Sequence, residues 1–426
     1  MRIWMINHYA SSPGRAWSTR HVSLAAELVR RGHSVNLLAS SFSHGTRTCK
    51  LAGRRGQVGW EHTLGVDIGW LRTPPYFDNS FGRGWNTLVF AWRVLCLPEL
   101  CKSRPDVIYG STPSLFAALA GLIVARRVGV PFVLEIRDVW PRTLIDMGMS
   151  RFHPFVMVCA VIERYLYRHS DAIVTLLPDA ESYLVAHGAA RGRIHWIPNG
   201  VNLDLVPPVV RPKPKEVLEV MYAGRYGGGN NPELILEAAA RLSQRGGQPL
   251  RFRLLGRGPG EPAIRAKQAA LGLTNVSLEP PVAKLDVYPL LSQADILVAS
   301  CPALAVHRFG VSLNKVFDYM AVARPIVYAV QSSNHPVRDA GCGIEITPDE
   351  PGALADAISA LAGMSVEERW QLGLNGRRYA EQNHDFARLA VKLESILAGT
   401  SRRRPGLYRL SNDRTLESAK PVPGND

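Results

Sequence analysis

The chain has 426 residues, 46% of them hydrophobic, and a formal charge of +14. That length and apolar content exclude general disorder and predict two domains of roughly 200 residues, each with its own core. The charge asks for an anionic partner or reflects an arginine-rich background; with no zinc-finger or RNP-type motif, sequence-reading of nucleic acid is excluded.

Strand and helix alternate almost throughout, which predicts α/β architecture with parallel sheets. In the first half, residues 2–7 read as a strand, 18–31 as a helix stopped by Gly32, and 35–39 as the next strand. Further strands are expected at 66–71, 106–109, 132–137, 172–176 and 194–197, with helices at 113–128 and 154–169. The proline- and lysine-rich stretch 207–215 reads as a stiff connector. The pattern then restarts, with strands at 218–223, 251–255, 276–279, 296–299 and 326–329. Its helices fall at 232–245, 262–271 and 285–294, from Asn314, and near 351–363 and 366–382. The predicted domains are 1–205 and 217–382, followed by a C-terminal helix at 383–400 and a disordered tail at 401–426.

The apolar runs at 87–98 and 115–125 fall short of the ~20 residues a bilayer crossing needs, and no signal-peptide pattern opens the chain. Six cysteines without disulfide or metal spacing predict reduced thiols in a cytosolic protein. Aromatic and basic residues mingle at 81–102 and 152–169, which suits an anionic membrane surface.

Tandem α/β domains bind ligands where the C-terminal ends of their sheets face each other. The loop after the first strand carries His8 and Gly14. Gly14 permits close backbone approach and His8 reaches for a substrate oxygen, although an ordinary βα loop would look the same. Glu135, Arg137 and Asp138 stand at the end of a buried strand. Three charges there either form an internal ion-pair network or line the cleft. The cleft is the favoured reading, with Arg137 binding an anion and Asp138 or Glu135 acting as general base.

In the second half, the strand at 218–223 runs into Gly224, Arg225 and a glycine run before Pro232. Such glycines admit a phosphate to the backbone, Arg225 neutralises it, and the helix start adds its dipole. A flexible connector is the alternative. Asn314 and Lys315 open a helix and Asp318 follows one turn on. That supplies a cation and a helix N-terminus for phosphates and a carboxylate for ribose hydroxyls; a surface Lys315–Asp318 ion pair is the competing reading. No Asp-x-Asp motif and no histidine pair with metal-ligand spacing occurs, so Arg225, Lys315 and helix dipoles are expected to replace a metal, with no cofactor.

Together the segments NHYASSPG, STRHVSLAAELVRRGHSV, EIRDVWP, IPNGVN, YAGR, NVSLEPPVAK and NKVFDYMA followed by RPIV resemble glycosyltransferase family 4 over roughly residues 1–398. Within it the chain is most similar to the N-acetylfucosamine-type transferases of bacterial O-antigen and capsule synthesis. The resemblance implies the GT-B fold, two Rossmann-like domains facing each other across a cleft. It implies a retaining transferase moving a sugar, an N-acetylated deoxyhexosamine, from a UDP-sugar to an undecaprenyl-diphosphate-linked glycan. Such a protein is cytoplasmic and peripherally attached to the anionic inner-membrane surface, with a polyprenyl-diphosphate-linked acceptor as partner.

In the implied mechanism the acceptor attacks from the face that UDP leaves, and the donor phosphate takes its proton. Arg225 and Lys315 stabilise the departing diphosphate, and Asp138 completes the catalytic set. Gly14, Gly224, Gly310, Ser312, Asn314 and Asp318 are expected at the donor, and His8, Glu135 and Arg137 at the acceptor. The chain departs from the family pattern at several points. Gly310 stands where many members place a sugar-binding glutamate, Asn230 where a lysine follows the arginine by five, and Arg137 where a histidine precedes the aspartate. Ala16 and Trp17 replace small residues of the first loop. The rival readings are a UDP-sugar epimerase of the same plan, needing no acceptor, and a non-catalytic glycan- or nucleotide-binding scaffold.

Overall fold

The structure is a computed structural model that describes residues 1–11, 20–53, 56–76, 81–97, 104–227 and 229–402. Its first sheet has eight strands in the order β3-β4-β2-β1-β5-β6-β7-β8. They are β1 Arg2–Ile6, β2 Ser34–Ser40, β3 Val58–Thr63, β4 Val66–Leu71, β5 Val107–Ser111, β6 Phe132–Ile136, β7 Ala172–Thr175 and β8 Ile194–Trp196. The second has six, in the order β11-β10-β9-β12-β13-β14. These are β9 Leu218–Ala223, β10 Leu250–Leu255, β11 Val276–Glu279, β12 Ile296–Ser300, β13 Ile326–Ala329 and β14 Gly343–Ile346. The chain is thus two Rossmann-like α/β domains, as the alternation predicts.

Pairing is parallel except for β3 and β4, an antiparallel hairpin turning through Leu64 and Gly65 with φ of 53° and 75°. Both residues sit in the left-handed region that a two-residue hairpin turn requires. The expected strand list lacks β3 and β14. β3 is a half-exposed edge strand without an apolar run, and β14 has four residues, none fully buried.

β1 pairs with β2 on one side and β5 on the other, and β9 likewise with β10 and β12. The winding direction reverses at these two central strands, so a crevice opens at each one's C-terminal end. That geometry places the loops after β1 and β9 at the two natural ligand positions.

The connector 207–215 has no regular structure and is tied to the second domain by Lys215, which bonds Gln293 O at 2.6 Å and Asp295 at 2.8 Å. The last helix, Phe386–Arg402, is part of the first domain rather than a separate appendix. Its stripe of Phe386, Leu389, Leu393 and Leu397 is buried in one core with Ile3, Leu24 and Leu28. Each such leucine contributes about 1.5–3 kcal/mol by leaving water. The chain returns through His384, whose carbonyl accepts from Val201 N at 2.9 Å and whose Nδ1 donates to Asn199 O at 2.9 Å. The helix runs to Arg402; the tail expected from 401 lies from 403 onward outside the described residues.

Candidate active site

β9 ends at Ala223, and the next residue is glycine because a larger one meets its neighbours. A Cβ on Gly224 would lie 2.6 Å from the Lys315 ammonium and 2.8 Å from the Tyr222 hydroxyl. Gly256, just beyond β10, supports the same turn: a Cβ there would be 1.9 Å from the Gly224 carbonyl oxygen. These close approaches bring the backbone, Lys315 and Arg225 into one small region.

Lys315 donates to the Tyr222 hydroxyl at 3.1 Å and to Asn230 Oδ1 at 2.7 Å, with its ammonium 4.2 Å from the Tyr222 ring centre. Burial pushes its pKa down to about 8, with Cys301 opposing. Asp318 turns elsewhere, to Lys284 at 2.5 Å and the Tyr288 hydroxyl at 3.1 Å. The competing reading of a mutual Lys315–Asp318 surface pair therefore fails. Lys315 also resolves one departure noted above: the cation absent at position 230 is delivered beside Asn230 from the facing helix. Asn314, half-buried, opens that helix, Asn314–Ala321, and the cap residue Leu313 supplies no side-chain hydrogen bond to its N-terminus.

Across the cleft, Arg225 donates to His44 Nε2 at 3.4 Å, and His44 Nδ1 donates to the Tyr76 hydroxyl at 2.8 Å. Burial, then Arg83, Arg225 and Arg47, push the His44 pKa down to about 3, so the ring is neutral and its Nε2 can accept. Arg47 bonds the Tyr76 carbonyl at 3.2 Å, and Arg83 bonds the Tyr9 hydroxyl at 3.3 Å. Burial and then the same Arg47 and Arg83 lower the pKa of Arg225. Three guanidinium groups thus crowd one neutral imidazole, an assembly that an anion would stabilise.

Sequence reasoning missed His44, Arg47, Tyr76 and Arg83. All follow C-terminal ends of first-sheet strands, β2 for the first two and β4 for the others. That rule was available, but no local motif marks them.

Several expected site residues stand elsewhere. Glu135 is fully buried and belongs to the internal network rather than the cleft. Its carboxylate pairs with Arg20 at 2.8 Å and His21 at 2.6 Å and accepts from Tyr109 and Ser111, each at 2.6 Å. Burial opposes its ionisation, yet the charges of His21 and Arg20 hold its pKa well below the ordinary carboxylate range. His8 is also buried, with Nε2 bonded to Asn86 Oδ1 at 2.6 Å and the ring centre 4.8 Å from that of Phe90. Burial pushes its pKa down to about 4. Nε2 is thus spent on Asn86, while the buried Nδ1 has no hydrogen-bond partner among the described residues.

Gly310 and Ser312 form a joint between the domains. Gly310 has φ of 93°, and a Cβ on it would meet Pro178 Cδ at 2.4 Å. A glutamate has no room there. The Gly310 and Val311 amides are committed to His307 O at 2.9 Å and Asn334 Oδ1 at 2.7 Å, so they are not offered to a donor sugar. Ser312 Oγ and O accept from Asn199 N and Nδ2 at 2.8 and 2.6 Å.

Arg137 is half-buried and Asp138 exposed, both just past β6. Desolvation by the surrounding protein raises the Asp138 pKa while Arg137 opposes. Gly14 lies outside the described residues. Among the described residues no group of three or more His, Cys, Asp or Glu is placed to hold a metal ion.

Two Rossmann-like domains whose switch points carry facing cationic loops have the arrangement of the GT-B fold. Residues 18–200 match the glycosyl transferase 4-like domain and residues 218–363 match the glycosyl transferases group 1 domain. The two matches fall one on each of the chain's two Rossmann-like domains.

The chain is 24% identical over 203 residues to WcaI of Escherichia coli K12, whose name assigns it as a glycosyl transferase to colanic acid biosynthesis. That match covers 44% of this chain and 48% of WcaI. Across the first curated relatives it matches, the chain spans about half to three fifths of their length. Sucrose-phosphate synthase of Thermosynechococcus elongatus superposes with a TM-score of 0.75 at 15% identity, over 95% of this chain and 100% of that one. Anabaena Alr3699/HepE, solved in complex with UDP and glucose, gives 0.67 at 16% identity, over 94% and 100%.

Proposed function

We propose that this chain is a retaining, metal-independent glycosyltransferase. In this reading it moves a sugar, an N-acetylated deoxyhexosamine, from a UDP-sugar to an undecaprenyl-diphosphate-linked glycan in O-antigen, capsule or exopolysaccharide synthesis. The observation that carries it is the placement of Arg225 and Lys315 at the end of β9, Arg225 reaching the His44 loop of the first domain, with Asp318 one turn along the helix that carries Lys315. Cations beside a helix N-terminus suit a diphosphate, and a carboxylate one turn away suits a ribose. A relative named for colanic acid biosynthesis and a fold neighbour solved with UDP support the same direction.

Chemically, the bond from the anomeric carbon to the diphosphate oxygen breaks and the acceptor oxygen bonds on the same face. The acceptor proton passes to the leaving diphosphate. Arg225 and Lys315 stabilise the charge that develops there, in a region where burial makes each cation count for more than in water. These cations take the charge-neutralising role of a metal. In this reading Asp138, exposed beside Arg137, serves the acceptor.

A thermal shift with UDP, GDP and ADP in EDTA tests this reading. UDP at a hundredfold excess over its Kd adds about 2.7 kcal/mol, and it alone is expected to raise the melting temperature. No shift with any nucleotide overturns the assignment.

Attachment to an anionic membrane is part of the proposal. No helix among the described residues is long and apolar enough to cross a bilayer. Helix Phe81–Leu95 instead exposes Phe81, Trp85, Leu88 and Trp92, the last at 66%. Helix Pro154–His169 exposes Met157, Val161 and Tyr165 at helical spacing. Both pack on helix Leu115–Val128, and Arg164 and Arg168 lie along the second stripe. Apolar side chains flanked by arginine suit the boundary of an anionic bilayer. Replacing Trp85 and Trp92 with serine is expected to release the protein from anionic liposomes at moderate salt; unchanged binding rejects this docking face.

A further inference from the structure

Resting on the nucleotide reading above, we infer that Lys284 and Tyr288 are positioning residues that set the Asp318 carboxylate to receive the two vicinal hydroxyls of a ribose. The three side chains come from two helices, Lys284–Leu291 and Asn314–Ala321. Lys284 and Tyr288 are one turn apart, so they face Asp318 together. Lys284 donates to Oδ2 at 2.5 Å and the fully buried Tyr288 donates its hydroxyl proton to Oδ1 at 3.1 Å. The Lys284 ammonium also lies 5.0 Å from the Tyr288 ring centre, which fixes the pair against each other.

The count of lone pairs gives this arrangement its meaning. An ionised carboxylate offers about four acceptor directions, two on each oxygen. Lys284 uses one on Oδ2 and Tyr288 one on Oδ1, so one direction remains on each oxygen. Two adjacent acceptors on one rigid carboxylate match a vicinal diol, whose hydroxyls each donate one proton. A lone carboxylate could rotate and satisfy one hydroxyl at a time. Lys284 also answers the charge of a side chain that is only about a tenth exposed. Discrimination for ribose over deoxyribose is then a property of three residues, not of Asp318 alone.

The test compares dissociation constants of UDP and 2′-deoxy-UDP by calorimetry in the full chain and in Lys284→Met, Tyr288→Phe and Asp318→Asn, each shown folded by its melting transition. The full chain is expected to prefer UDP by about tenfold or more, the value of one hydrogen bond to a charged group. Lys284→Met and Tyr288→Phe should each bring that ratio towards one. Tyr288→Phe removes a single oxygen and keeps the packing, so it reads the proposal even if the lysine variant unfolds. Either variant keeping the full preference while Asp318→Asn loses it overturns the positioning role and leaves the nucleotide reading intact. A full chain that binds both nucleotides equally removes Asp318 from the ribose and the inference with it. A full chain that binds neither rejects the nucleotide reading itself.

Discussion

Replacing Lys315 or Arg225 with alanine is expected to lower turnover by about a hundredfold or more, the usual effect of losing one donor to developing charge in the transition state. Lys315 lies beside Tyr222 and Asn230, and Arg225 beside His44, so each variant removes a cation from the region where the leaving diphosphate is proposed to sit. Steady-state rates with a UDP-sugar check this, and near-normal rates in both variants remove them from the chemistry. The lysine adds a signature in pH. Its pKa is pushed down to about 8 by burial, so the ammonium is present below that value and lost above it. kcat/KM for the donor, which reports the free enzyme, should therefore fall as pH rises through about 8, and Lys315→Ala should lack that limb. The sign for stability is the reverse. The unfolded lysine holds its proton more tightly, so this site costs stability below about pH 8, and the cost fades as pH climbs towards the unfolded value. A diphosphate beside the ammonium offsets it.

Glu135→Ala is expected to act on folding, not on chemistry, with a loss of about 3–5 kcal/mol, the cost of breaking a buried ion pair from one side. Arg20 is 1% exposed and spends its remaining donors on Pro198 O and Ile197 O, so without Glu135 its charge has lost its buried counter-ion. The first transition in urea reads this directly, and UDP binding below that transition should persist. Asp138→Ala is the contrast: the side chain is exposed, and its loss should move stability by no more than about 0.5 kcal/mol. An unchanged midpoint in Glu135→Ala would return that residue to the acceptor side. Folded Glu135 titrates well below an ordinary carboxyl. Its contribution is therefore complete above the unfolded carboxylate pKa and lost only as pH falls towards the folded value.

The second-domain side of the candidate site was largely legible from sequence because its signals are local. A glycine turn after a strand, an arginine beside it and a helix opening with Asn314 and Lys315 are each contiguous, and the fold brings Gly224, Arg225 and Lys315 together as those patterns imply. The first-domain side was legible only in part. Glu135, Arg137 and Asp138 follow one another within four positions, yet Glu135 points inward while Asp138 is exposed. β6 ends at Ile136, so Asp138 stands in the loop beyond the strand, while Glu135, still on it, meets Arg20 from 115 positions away.

By itself the sequence determined the α/β alternation, the connector at 207–215 and the glycine-rich loops of the second domain, since each depends on neighbours within one turn or one strand. Tertiary structure alone decided that Gly310 and Ser312 join the domains, that the last helix completes the first core, and that Lys284 and Tyr288 hold Asp318. It alone brought His44 to Arg225, 181 positions apart. Those outcomes rest on contacts between distant segments, where packing and charge pairing choose among partners that local pattern leaves equivalent.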